Sequence, residues 1–285
     1  MIKTSLIITV FNRSHLIRKS LLSLRNQSVK PDELILSDDG SEEDIVVEIK
    51  DIVKDFKFPV KYVKQVNKGF RLAKCRNNGV RNATYDLLIF LDQDLIHTSN
   101  LIKTFNLNSR EKRFITGMPI WMGEKMSSQI TEERIINNNF VEFVTNDDKR
   151  YVEKQFRKDR RYYYLHKLKL TNQPRLRGGV CAINRKDFEL INGYDEKFIG
   201  WGAEDDDVGQ RLYQIGSEGF NPFINEYAIH LYHEKASIPN KGVREQANYQ
   251  YYQNKKVDIK AGKFRTEFGL DNPFDEDTFK VIELN

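Results

Sequence analysis

Residues 86–94 read DLLIFLDQD, an unbroken apolar run that ends in two carboxylates flanking one residue. A strand covered on both faces by helices is apolar along its whole length, whereas a half-exposed strand alternates. The run therefore predicts a buried strand of a parallel sheet, with its acids at the carboxyl end. The same pattern recurs upstream. Residues 4–10 (TSLIITV) are followed by the polar turn Asn12-Arg13-Ser14, residues 33–37 (ELILS) by Asp38-Asp39-Gly40-Ser41, and Val60 to Val63 form a shorter strand. Between these runs Leu16, Ile17, Leu21 and Leu24, then Ile45, Ile49, Ile52, Val53 and Phe56, recur at helical spacing. Ser14 is the expected N-cap of the first helix, and residues 73–83 read as a third. Strand and helix in alternation predict an α/β fold with a mostly parallel sheet and right-handed crossovers.

Downstream the pattern is less regular. Residues 131–170 read as helical and highly charged, residues 178–184 (GGVCAIN) as a strand, and residues 204–215 as a helix opened by four acids. Residues 243–256 read as a polar helix, and residues 258–285, without clear periodicity, as a packed tail.

Apolar residues make up 39% of the 285-residue chain, enough for a globular core, and a net charge of +5 is too mild to demand a nucleic-acid partner. Cys75 and Cys181 form no CxxC pair, which fits two core thiols in a reducing compartment. The N-terminal apolar run is too brief for a signal peptide and no run approaches a membrane span, so a cytoplasmic protein is the expectation. Charge is concentrated in residues 149–169, which are basic and tyrosine-rich. That stretch reads as a solvated or acceptor-facing helix ahead of a peripheral contact with anionic membrane.

In open α/β sheets ligands bind beyond the carboxyl ends of the strands. Phe11-Asn12-Arg13, Asp38-Asp39 and Asp92-Gln93-Asp94 all fall there. Residues two apart on an extended chain point the same way, so Asp92 and Asp94 can reach one ion. Mg²⁺ and Mn²⁺ take such hard oxygen ligands and commonly bridge them to phosphates. A second constellation is Gly200-Trp201-Gly202-Ala203-Glu204-Asp205-Asp206-Asp207. Acids are favoured at a helix N-terminus for electrostatic reasons alone. That does not account for a tryptophan between glycines, a flat apolar face of the kind sugar rings stack on. One of the acids could accept a proton from an attacking hydroxyl.

With these pieces in order, the chain resembles the family 2 glycosyltransferases of the GT-A fold. The matching segments are Thr9-Val10-Phe11-Asn12-Arg13, Asp38-Asp39-Gly40-Ser41, Asn67-Lys68-Gly69, Arg76-Asn77 and Leu91-Asp92-Gln93-Asp94. The stretch from Arg177-Gly178-Gly179 through Asp207 is similar to the C-terminal half of β-1,4-galactosyltransferases and of bacterial chondroitin-polymerase-type enzymes. The resemblance implies a Rossmann-like central sheet flanked by helices, with a helical C-terminal extension. It divides the chain into a nucleotide-sugar-binding half (1–100), an acceptor-binding and catalytic half of the same domain (101–240), and a C-terminal helix and tail (241–285).

It also implies roles. Thr9, Phe11, Arg13, Asp39, Arg76, Asp92 and Gln93 would line the nucleotide-sugar pocket, with Asp39 on the uracil or ribose and Arg76 near the diphosphate or base. Asp94 would ligate Mn²⁺ or Mg²⁺ together with His233 of His230-Leu231-Tyr232-His233. Asp205 would be the catalytic base, with Glu204 beside it, and Trp201 and Asp206 would bind the acceptor. The implied reaction moves a hexose, galactose or N-acetylgalactosamine, from a UDP-sugar to a carbohydrate hydroxyl with inversion, in surface polysaccharide or glycan synthesis. Two rivals stand beside it: a binding protein of the same fold without turnover, and a nucleotidyltransferase, which would usually carry an early glycine-rich phosphate loop where this chain has TVFNRS. Arg71 and Lys74 are either a solvated helix face or, for Arg71, a diphosphate contact.

Overall fold

The structure, a computed structural model, describes residues 2–234 and 241–285, without the side chains of residue 241 and residues 243–246. The first part of the chain runs β1 (Thr4–Val10), α1 (Ser14–Arg25), β2 (Glu33–Asp38), α2 (Ile45–Val53), β3 (Val60–Gln65), α3 (Leu72–Arg81) and β4 (Leu87–Asp92). Then follow β5 (Leu95–His97), α4 (Leu101–Asn108), β6 (Arg113–Thr116), β7 (Ile120–Trp121), α5 (Glu124–Gln129), α6 (Glu132–Ile136) and α7 (Asn146–Lys167). The last elements are β8 (Val180–Asn184), α8 (Arg185–Leu190), α9 (Glu204–Gln214), β9 (Glu218–Phe220), β10 (Ala228–His230), α10 (Lys241–Lys260) and β11 (Phe279–Glu283).

The main sheet has the order β11-β3-β2-β1-β4-β8-β6-β9, and β5, β10 and β7 form a small second sheet. Strands β3, β2, β1 and β4 are parallel, as the sequence predicts, while β8 runs antiparallel to both β4 and β6. The continuous apolar runs have the expected cause. Leu6 and Ile8 of β1 enter one hydrophobic cluster with α1 and α2, and Ile7 enters the other with Ala73 and Val80 of α3. Cys75 and Cys181 are buried free thiols in this core, pushed well above their ordinary pKa by burial. Among the described residues no helix is long and apolar enough to cross a membrane.

Three expectations are corrected. Ser14 does not cap α1 but opens it. The cap is Arg13, in the left-handed region, and the N–H groups of Arg13 and Ser14 donate to the Glu43 carboxylate at 2.7 and 2.8 Å. The charged, helical stretch 131–170 is divided between α6, a 3₁₀ turn over Asn139–Phe143 and α7. The break falls where Thr145 and Asp148 form a capping box that starts α7 afresh. The tail contains a strand, β11, which pairs antiparallel with β3 at the sheet edge. Finally, Arg71 and Lys74 are not a solvated face. Both are buried, and their charges meet Asp275 and Asp277 of the tail.

The basic helix α7 is fixed by buried acids rather than by an apolar stripe. Asp159 accepts from Arg177 at 3.0 and 3.1 Å and from Asn221 at 2.8 Å. Glu218 of β9 takes Arg110, Arg113 and Lys167, and although burial pushes its carboxyl upward, those hydrogen bonds outweigh it and hold the group at about 2.

Candidate active site

The sheet delivers the predicted residues to one rim. At the end of β1 two successive residues, Asn12 and Arg13, adopt left-handed φ of 49° and 58°. This conformation is costly away from glycine. It is held from outside: the Asn12 N–H donates to Ser41 at 2.7 Å and Asn12 Oδ1 accepts from the Glu42 N–H at 2.8 Å. The Phe11 main chain is clamped by Gln93, whose amide accepts from the Phe11 N–H at 3.1 Å and donates to its carbonyl at 3.0 Å. Gln93 therefore spends its amide on shaping the loop. The Arg13 guanidinium reaches the carbonyl of Glu234 at 3.1 Å, next to His233.

Asp38 and Asp39, adjacent in sequence, do different work. Asp38 accepts from the N–H groups of Gly40 and Ser41 at 2.8 and 2.6 Å and so builds the turn. Asp39 faces the rim. One of its oxygens takes the Gln65 amide and the other the Arg71 N–H at 2.8 Å, and burial pushes its pKa up to about 6 against those bonds.

Beyond β4 the chain turns through Gln93 and Asp94 into β5, which pairs antiparallel with β10 so that Leu95 faces His230. The Leu231 N–H donates to the Asp94 carbonyl at 2.9 Å. This pairing brings His230-Leu231-Tyr232-His233 onto Asp94. His233 Nε2 lies 3.0 Å and His230 Nε2 3.5 Å from Asp94 Oδ2, and ligand atoms of all three lie within 4.8 Å of one another. Asp94 Oδ1 is buried with no hydrogen-bond partner among the described residues. Burial lowers the pKa of His230, which favours the neutral imidazole, while the hydrogen bond that His233 donates to Asp94 raises that of His233. The Trp121 indole, 62% exposed, stacks on the His230 ring at 4.0 Å. Sequence reasoning singled out His233; His230 and Trp121 are joined to it only by the β10 pairing.

A second charged cluster centres on Arg76 of α3, 2% exposed. Its guanidinium lies 2.8 Å from Asp205, 3.3 Å from Asp92 and 3.7 Å from Glu204. Arg76 thus serves three carboxylates from behind the rim. Thr9 adds a hydroxyl bond to Asp92 at 3.2 Å. The Gly178-Gly179 pair lets the acids approach the main chain. A Cβ at Gly178 would fall 2.1 Å from Asp205 Oδ1, and one at Gly179 2.4 Å from Asp92 Oδ2. Burial first, and then the neighbouring Asp205 charge, push the Glu204 carboxyl well above the usual carboxylate range.

Left-handed Gly200, Gly202 and Ala203 turn the chain around Trp201, which is 54% exposed at the head of α9. Asp206 pairs with Arg175 at 3.4 Å, and burial raises its pKa. Asp207, the last acid of the run, is fully buried, bound to Arg211 at 2.7 Å and to Lys255 of α10 at 3.0 Å. The i,i+4 spacing of Asp207 and Arg211 was a legible signal that this acid is structural.

Residues 5–190 match the family described as Glycosyl transferase family 2. The chain belongs to that family. Within this family 2 chain, residues 165–234 also match a galactosyltransferase domain family. The chain is 29% identical to the chondroitin synthase of Pasteurella multocida (strain Pm70) over 227 residues, 74% of this chain and 23% of that protein. It spans between 23% and 32% of the length of the first curated relatives it matches. Among solved structures, the chain superimposes on GalNAc-T7 with UDP, GalNAc and Mn²⁺ at a TM-score of 0.59 and 16% identity, covering 84% of this chain and 45% of that one. A mannosyltransferase from Pyrobaculum calidifontis in complex with GDP-Man and Mn²⁺ gives a TM-score of 0.58 and 13% identity, covering 90% and 64%. The architecture is the GT-A fold of glycosyltransferases.

Proposed function

We propose that this family 2 chain transfers a hexose, galactose or N-acetylgalactosamine, from a UDP-sugar to a hydroxyl of a carbohydrate acceptor, with inversion and with a divalent metal. The observation that carries the reading is the convergence of Asp94, His230 and His233 on the rim that also presents Asp205. The relatives support the sugar and setting: a chondroitin synthase in sequence, and GalNAc-T7 with UDP and GalNAc in fold. The donor set fits a metal, because Asp94 leaves a buried oxygen without a partner beside two imidazoles. One carboxylate with two imidazoles suits Mn²⁺ better than Mg²⁺, which prefers all-oxygen sites. When bound, the metal would neutralise charge on the departing diphosphate.

The chain's own residues do the rest. Asp39 holds the uracil or ribose at the floor between β2 and α3. Asp92, fixed by Thr9 and Arg76, faces the ribose or a metal-bound water. Trp201 and Asp206 hold the acceptor ring. Glu204, its proton held by burial, donates to the acceptor rather than taking its proton. Asp205 accepts that proton as the acceptor oxygen attacks the anomeric carbon and the bond to the diphosphate breaks. Residues 1–100 bind the donor and 101–240 supply the acceptor side and the base. The tail does not stand apart from them, since Asp275 and Asp277 lie on Arg71, whose N–H holds Asp39. The test is a donor screen with purified protein, Mn²⁺ and a panel of UDP-sugars plus GDP-mannose, reading nucleotide release. UDP release with UDP-galactose or UDP-N-acetylgalactosamine is expected, and turnover of GDP-mannose alone would overturn the reading.

A further inference from the structure

We propose that Tyr194 is a positioning residue for Asp205, and that it leaves Oδ2 of that carboxylate as the atom that takes the acceptor's proton. The inference rests on Asp205 as the base. Tyr194 follows Gly193, whose φ is +70°, in the loop between α8 and α9. Its main chain is held on both sides by one side chain: the Tyr194 N–H donates to Asn77 Oδ1 at 2.9 Å, and its carbonyl accepts from Asn77 Nδ2 at 2.8 Å. The ring is fully buried between Phe90 and Phe188, with centroids 6.0 and 5.7 Å away, and the Arg76 guanidinium lies 5.1 Å from its centre. A ring so enclosed has one place to put its hydroxyl, and that place is 3.3 Å from Asp205 Oδ1.

The donors on Asp205 are unequally divided. Oδ1 receives Arg76 at 2.8 Å and Tyr194 at 3.3 Å, whereas among the described residues Oδ2 receives only the Gly178 N–H, at 2.9 Å. A carboxylate offers about two acceptor positions on each oxygen. Oδ1 is filled, and Oδ2 keeps one. Arg76 from α3 could not fix this arrangement by itself, because the same guanidinium also faces Asp92 at the end of β4 and Glu204 on α9. Tyr194 breaks that competition. Its hydroxyl is a neutral donor aimed at Asp205, and burial, which pushes the phenol's pKa well up, keeps the proton on it. In the transfer step the acceptor O–H proton passes to Oδ2 as the acceptor oxygen bonds to the anomeric carbon. The electron pair of the broken bond leaves on the diphosphate.

The experiment is a double-mutant cycle with Tyr194→Phe and Asp205→Asn, measuring kcat, both KM values and the calorimetric UDP affinity. Tyr194→Phe should lower kcat about tenfold, the scale of one hydrogen bond to a charged group, with both KM values and UDP affinity unchanged. In the Asp205→Asn background it should cost nothing further. Retained UDP affinity reports an intact fold. An unchanged kcat in Tyr194→Phe overturns the proposal, as does a loss that multiplies with that of Asp205→Asn, since it would then act independently of Asp205. Near-normal turnover in Asp205→Asn alone would overturn the base assignment itself.

Discussion

Asp94 and Asp205 stand at two ends of one rim, and their surroundings differ in kind. Asp94 shares one oxygen between two imidazoles and leaves the other buried without a partner among the described residues. Asp205 has donors on both oxygens, from a guanidinium, a phenol and a main-chain N–H. A buried oxygen without a donor is costly unless something else arrives to satisfy it. A carboxylate already supplied with donors is complete and needs only one free position for a proton. On the proposed function, the first end would receive a ligand and the second would act on one.

That contrast can be broken most sharply at the second end. Asp205→Asn should lower kcat by about 10²–10⁴-fold, the usual worth of a general base, and leave UDP affinity unchanged by calorimetry. Asp206→Asn and Glu204→Gln, assayed beside it at saturating donor, should act mainly on acceptor KM. If either abolishes kcat while Asp205→Asn does not, the base lies one residue away. At the first end, His230→Ala and His233→Ala should each raise the Mn²⁺ concentration for half-saturation at least tenfold. Calorimetric titration with Mn²⁺ gives a readout that needs no turnover; unchanged titrations would detach the histidines from the metal.

Between the two ends, Asp39→Ala should weaken UDP binding by about tenfold, since a charge-assisted partner is lost. Unchanged affinity would return Asp39 to a turn role like that of Asp38. The smallest effect concerns Glu204. Its folded pKa lies well above the ordinary 4.5. The native state therefore binds the proton more tightly, and the associated stability, full below pH 4.5, is lost as pH rises through the folded pKa. Glu204→Gln keeps a neutral group there, so its Tm relative to the parent should rise as the pH is raised past neutrality. A difference independent of pH would mean that Glu204 is ionised throughout.

How much of this was legible in the sequence follows from the same contrast. The parallel half announced itself because strands covered on both faces must be apolar end to end, and β1, β2 and β4 fall almost where their runs predict. Asp39, Asp94 and Asp205 were legible because each sits in a short motif at an element's end. His230 was not singled out, since its place beside Asp94 depends on a pairing between β5 and β10 that no local period encodes. Tyr194 was invisible for a similar reason: an aromatic residue in a loop reads as core, and only the fold shows where its hydroxyl ends. Gln93 and Arg76, expected in the nucleotide-sugar pocket, also hold protein partners, Phe11 for the one and Asp92 and Asp205 for the other. A polar residue at a rim looks the same in sequence whether it binds or braces. Strand β11 was missed because an exposed edge strand carries no apolar run.

The clasp between the tail and α3 has a consequence for biosynthesis. Arg71 meets Asp277 across 206 residues of sequence, and beside them β11 covers the open edge of β3. On the ribosome β1 to β4 emerge before the counter-charges for Arg71 and Lys74, since Asp277 lies 206 residues beyond Arg71. Until then the growing chain holds two cations with nowhere dry to go and an unpaired strand edge. The loop that presents Asp39 can therefore settle only after the segment carrying Asp275 and Asp277 has been translated, long after Asp39 itself.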